Sequence, residues 1–232
     1  MKRVFYLSLT LFVALTSIIC HNAFPWDNEV THRDLSGFAA DFSVLSLSKG
    51  NYLSKIGFKE GLSEFLKWGS SERTVKKWLH EGAYREDEGN LWEMKFNTAR
   101  FNNHFHNPLR AAVNWNIAGL DDYVSIPPFF VFGESALLWA QDGIRQSDFR
   151  NSQSEWDWSW QTIRMYFYRA LTSVTDAERQ EYFARTFRGL GHQMHLIQDM
   201  AVPAHVRNDA HPLDSMMKWV GTYLFESWAA KK

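Results

Sequence analysis

Residues 189–211 read GLGHQMHLIQDMAVPAHVRNDAH and hold four of the chain's nine histidines. His195 and Asp199 stand four residues apart, which puts an imidazole and a carboxylate on one face of a helix. Val202 precedes Pro203, and a residue before proline is disfavoured in the αR region, so the helix is expected to stop near Met200. The chain then turns, and His205 can swing back toward the helix end. A helix face with a ring and a carboxylate, met by another ring from the next turn, is one way to present several ligands to a metal ion. Taken alone, the run also fits a buried helix with hydrogen-bonded histidines.

Around this stretch the pattern is helical. Thr175 with Glu178 forms a capping box for a helix over residues 176–200. Apolar spacing predicts helices over 134–145, 157–173 and 215–230. Residues 29–48 carry a stripe through Val30, Phe38, Phe42 and Leu45, and 58–68 place Phe58, Leu62, Phe65 and Leu66 on one face. Residues 71–82 suggest a short helix capped by Ser70 or Ser71 and ended by Gly82. Residues 84–108 read as irregular, 108–119 as a helix, and 120–134, with Pro127-Pro128, as a loop. Nothing reads as paired strands. The expected class is all-α, in one domain over residues 24–232, and the helix-like pattern running to Lys232 suggests a truncated end.

Composition narrows the function. Twenty-five Lys and Arg against 26 Asp and Glu leave a net charge of −1, so no basic footprint points to duplex nucleic acid. Lys2 and Arg3 precede an apolar stretch from Val4 to Ile19, short for a membrane span, so residues 1–23 read as an export signal and the protein as secreted or periplasmic. Cys20 is the only cysteine; it offers an alternative lipid anchor, and no disulfide can form within the chain. A zinc site here must therefore use His, Asp and Glu.

Two further segments carry ligand chemistry: WLHEGAYREDE at 78–88 and NNHFHNP at 102–108. Alone, Glu86-Asp87-Glu88 reads as a solvated acidic turn, and His104 and His106 as a polar loop. Together with Trp26, His32 and the 189–211 run, the chain resembles the zinc-dependent phospholipase C family of bacteria and the related fungal single-strand-specific nucleases. The matching residues are Trp26, His32, Gly82 to Asp87, His104-Phe105-His106-Asn107-Pro108, and His195, Asp199, Pro203 and His205, in the family's order.

The resemblance implies a helical bundle holding up to three zinc ions. Asp87, His104, His195 and Asp199 would hold one. Asp199 would bridge to a second, with His32 and the backbone at Trp26. His205, His211 and Glu226 would serve a third. Thr222 stands where the family has a histidine, which is why His211 enters that set. His192 is read as a partner that orients a ligand, or as a core histidine. Asp87 is the candidate general base as well as a ligand. The implied reaction is hydrolysis of a phosphodiester, with a phospholipid head group as first choice and transient contact with a membrane surface. A single-strand nuclease and a non-catalytic zinc-stabilised binding protein are the alternatives. Clustered metal ions suit this chemistry because they polarise phosphoryl oxygens and acidify a bound water.

Overall fold

The computed structural model describes residues 28–88, 93, 95–97, 99–125, 128–148 and 157–208. The protein is mostly helical. A π-helical turn, Asn28–His32, leads into α1 (Arg33–Asp41), followed by the one-turn α2 (Tyr52–Lys55). A hairpin of β1 (Phe65–Trp68) and β2 (Ser71–Thr74) runs straight into α3 (Val75–Arg85). A 3-10 turn at Arg100–Asn103 precedes a second hairpin, β3 (Asp121–Ser125) and β4 (Pro128–Phe132). Then come α4 (Ala136–Gln141), α5 (Gly143–Asp148), α6 (Trp160–Thr172), α7 (Asp176–Asp199) and α8 (Pro203–Arg207). None of the helices among the described residues is long and apolar enough to cross a membrane. The helix expected over 215–230 lies outside the described residues.

The long helix forms as its signals require. Thr175 Oγ1 accepts from the Glu178 amide at 3.3 Å, and its hydroxyl donates to the Glu178 carboxylate at 2.9 Å. The helix ends at Asp199, and Pro203 opens α8 at its first position, where a missing N–H costs nothing. The Ser159 hydroxyl caps α6 by accepting from Thr162 N.

The two hairpins correct the expectation of a strandless chain. Phe65 and Leu66 do not share a helical face: Leu66 is buried and Phe65 exposed, the alternation of a strand. Gly69, at φ 58°, supplies the left-handed residue of the two-residue loop that pairs Trp68 with Ser71. The next helix is therefore capped by Thr74, which accepts from Lys77 N, and not by Ser70 or Ser71. Residues 120–134, expected as a loop, form the second hairpin. Its alternation turns Phe129 and Val131 inward and Tyr123, Phe130 and Phe132 outward. Residues 112–117 are 3-10 rather than α.

The stripe expected to bury the first helix is also corrected. Val30, Phe38 and Phe42 are 54, 62 and 61% exposed. The inward face of α1 is Ser36, Gly37 and Ala40, continuing from the buried His32 in the turn before it. Small residues are needed there because α1 lies close on α3, where the Lys76 and His80 side chains crowd the position of a Cβ at Gly37.

The main core gathers Leu53, Phe58, Leu66, Trp78, Phe183 and Phe187 between the first hairpin, α3, α6 and α7. A second cluster, Ala99, Phe101, Phe105, Leu120, Phe129 and Val131, lies under the second hairpin. Gly82 does not end its helix. It sits mid-contact, where a Cβ would overlap the Arg188 carbonyl oxygen, and a Cβ at Gly191 would overlap the Leu79 carbonyl oxygen. Two glycines thus let α3 and α7 touch backbone to backbone, which aligns the last turn of one with the last turns of the other. Gly82→Ala must separate the helices, and it is expected to cost about 3 kcal/mol, the upper end of overpacking penalties, in denaturant unfolding. Gly69→Ala meets no neighbouring atom but must hold a left-handed φ of 58°, so it should cost about 1 kcal/mol.

Candidate metal centre

Five segments deliver the site. The end of α3 runs on to Glu86 and Asp87. The 99–106 segment brings His104, α7 brings His192, His195 and Asp199, and α8 returns His205. His32 enters from the turn before α1. All are 5% exposed or less. The His104 segment is a buried loop whose backbone is clamped from both sides. His106 N donates to His205 O at 3.0 Å, and Ala136 N donates to Phe105 O at 2.9 Å. Asn103 Oδ1 accepts from Glu134 N at 2.7 Å.

The polar atoms converge on common points. His195 Nε2 lies 3.4 Å from Asp87 Oδ1 and 3.1 Å from Asp199 Oδ2. His104 Nδ1 lies 3.5 Å from Asp87 Oδ1 and 2.7 Å from Asp199 Oδ2. Four ligands about 2.0–2.2 Å from a tetrahedral ion stand roughly 3.3–3.6 Å apart, so these separations are close to the edges of one coordination shell. His195 Nε2, Asp87 Oδ2 and both Asp199 oxygens lack a directed hydrogen bond among the described residues. The nitrogens and oxygens are near each other but do not point at each other.

Asp199 divides its oxygens. Oδ2 faces His104 and His195, while Oδ1 lies 3.5 Å from His32 Nε2. The His32 and His195 rings stack at 3.7 Å between centroids. His32, His195 and Asp199 therefore form a second group able to hold an ion, beside Asp87, His104 and His195.

Hydrogen bonds to the outer nitrogens aim the rings. His195 Nδ1 donates to Ala83 O at 2.6 Å, so Nε2 presents its lone pair to the centre. His32 Nδ1 is held by Gln198 Oε1 at 2.7 Å, and Gln198 Nε2 donates to Ser36 Oγ. His205 Nδ1 donates to His104 O at 3.1 Å and lies 3.7 Å from Asp199 Oδ2, so an ion would be met by Nε2.

Glu86 was not legible. It is fully buried, not part of a solvated turn. It accepts from Arg100 at 2.7 Å and from Trp139 Nε1 at 2.9 Å, and it bonds His192 Nδ1 at 2.5 Å. Its Oε1 stands 3.7 Å from His104 Nε2. His192 thus touches Glu86, which faces His104; its ring also stacks on Trp158. The partners of Glu86 lie 14, 53 and 106 residues away, and no local pattern announces them. Trp26, His211 and Glu226 lie outside the described residues.

The electrostatics ask for a cation. Burial pushes Asp199 upward, but His205, His195 and His104 hold its carboxyl well below the usual range. Burial raises Asp87 too, and His195 and His104 outweigh it. Burial disfavours a charged His195, yet Asp87 and Asp199 lift it well above an ordinary histidine, and Asp199 lifts His104. Burial lowers His32 to about 4 and His192 to about 3. Two buried carboxylates thus require positive charge between them, as imidazolium protons or as a metal ion.

A ligating imidazole must be neutral, so an ion displaces those protons. Because the His104 and His195 values are raised, both rings are protonated near pH 6, and zinc uptake there should release about two protons per chain. Affinity should fall as pH falls. Calorimetry in buffers of different ionisation enthalpy reads the release.

Comparison of the chain with family models, curated proteins and solved structures gave no match. The buried His and Asp groups could hold a metal ion, and that conclusion rests on their geometry alone.

Proposed function

We propose that the protein is an exported, zinc-dependent phosphodiester hydrolase of the phospholipase C type, built on that family's helical bundle. One observation carries the reading: Asp87, His104 and the His195–Asp199 pair come from three separate stretches and set imidazole nitrogens 2.7–3.5 Å from carboxylate oxygens. Two imidazoles and two carboxylates in this arrangement suit zinc better than the all-oxygen shells of calcium or magnesium. Asp199 divides its oxygens as a carboxylate bridging two ions would, with His32 on the second side. When bound, such ions acidify a water and polarise a phosphoryl oxygen.

The chain's own residues supply the rest. Asp87 Oδ1 faces the two rings, which leaves Oδ2, without a hydrogen-bond partner among the described residues, to take a proton. Glu86, neutralised by Arg100, holds His192 and faces His104, so both rings keep their orientation. For a lipid substrate, the outward Tyr123, Phe130 and Phe132 of the second hairpin offer a face for transient contact with a membrane surface. A single-strand nuclease would need a stacking platform and a basic groove.

A second reading, a structural metal in a non-catalytic binding protein, is favoured by the burial of every candidate ligand side chain among the described residues. Turnover separates the two. Zinc-loaded protein is expected to hydrolyse phosphatidylcholine vesicles faster than single-stranded DNA or a chromogenic phosphodiester, and chelator should abolish the activity. Asp87→Asn should cost at least about 100-fold in kcat, the scale of a lost general base. A chelator-induced fall in melting temperature with no turnover on any substrate would establish the structural role instead.

A further inference from the structure

A pocket of about 190 Å³ opens beside the first hairpin, lined by Trp68, Arg73, Trp78, Glu81, Arg85 and Arg188 among others. Arg188 is the unusual member. Its guanidinium lies 4.7 Å from the Trp158 ring centroid and 5.3 Å from that of Trp68. The two indole centroids are themselves only 6.1 Å apart, with the rings at 66° to each other, so they wall the group from neighbouring directions and leave its N–H edge. Guanidinium N–H donors lie in the plane of the group, in a fork that matches a planar or tetrahedral oxyanion.

That edge is unused. Arg188 Nε is buried without a hydrogen-bond partner, and Arg188 forms no ion pair among the described residues. The pocket's carboxylate, Glu81, is already taken by Arg85 and by Arg73 at 3.8 Å, and Glu88 adds a second partner for Arg85. Three guanidiniums against one carboxylate leave the lining cationic. Burial, with Arg85 nearby, lowers Arg188 to about 10, so it stays charged at neutral pH. A desolvated cation without an anion is costly, and the position implies that something completes it.

We propose that this pocket is a binding site for a phosphate group, free or carried on a small ester, held by the N–H edge of Arg188 with help from Arg73, the organic part lying against Trp68. Arg85 is engaged by two carboxylates and acts mainly to keep Glu81 away from Arg188. The site is separate from the metal centre, although Trp158 stacks on both Arg188 and His192. It does not rest on the proposed hydrolase activity.

The test is titration of the zinc-loaded protein with inorganic phosphate, phosphocholine and acetate, read by calorimetry and tryptophan fluorescence. Phosphate is expected to bind one site per chain more tightly than acetate. Arg188→Met should weaken it about tenfold or more, the scale of a lost charge-assisted hydrogen bond. Arg188→Lys should fall between, because a point charge lacks the fork. If Arg188→Met does not fold, Ser71→Asp, on the pocket wall, places a carboxylate in the site and should remove phosphate binding in a folded protein. Chelator should leave this binding intact. Tighter binding of phosphocholine than of inorganic phosphate would identify the ester as the occupant; the reverse order would identify free phosphate. The proposal is overturned if phosphate does not bind, if acetate binds as tightly, or if binding survives both Arg188→Met and Ser71→Asp but is lost with chelator.

Discussion

Backbone contact between α3 and α7 at Gly82 and Gly191 is the constraint on which the rest of the molecule depends. Side chains usually keep helices 8–10 Å apart. With no Cβ at these crossings, a helix end carrying Glu86 and Asp87 comes within ligand distance of His195 and Asp199. Ala83 O, one residue after Gly82, becomes the acceptor that fixes the His195 ring. Packing and site chemistry are thus set by the same few atoms.

The contact also places three carboxylates, Glu86, Asp87 and Asp199, out of reach of water. They are handled in two ways. Glu86 is neutralised by Arg100 and saturated by Trp139 and His192, which makes it a rigid support. Asp87 and Asp199 face imidazoles alone, so their charge is met by exchangeable protons or by an ion. A permanent salt bridge beside an exchangeable one is what separates the framework of this centre from its ligand-binding part. Arg188 is the counterpart on the other side of the pair, a partly buried cation that makes no ion pair among the described residues.

Long-range partners explain which residues were legible. His195, Asp199 and His205 could be read because their spacing is local: one helical turn, then a proline that stops the helix and starts another. Thr175 with Glu178 and the stop near Met200 were legible for the same reason. The segment 58–68 was not, since its apolar residues fit a helix about as well as a strand. Gly69 decided the matter by opening a two-residue loop. Val30, Phe38 and Phe42 make a convincing stripe, yet α1 turns its small residues inward, because the neighbouring helix lies too close for rings.

The amino-acid sequence by itself determined that the chain is mostly helical, that any metal site must use imidazole and carboxylate, and which turn of which helix carries two of the ligands. Each of these follows from residue type and from spacing within one or two turns. Only the tertiary structure decided that Glu86 is a buried support and not a solvated charge, that Gly82 brings helices together and does not end one, and that Arg188 is left without a carboxylate. Those outcomes depend on atoms brought together from distant positions in the chain, and burial, which sets their energies, is a property of the packed molecule.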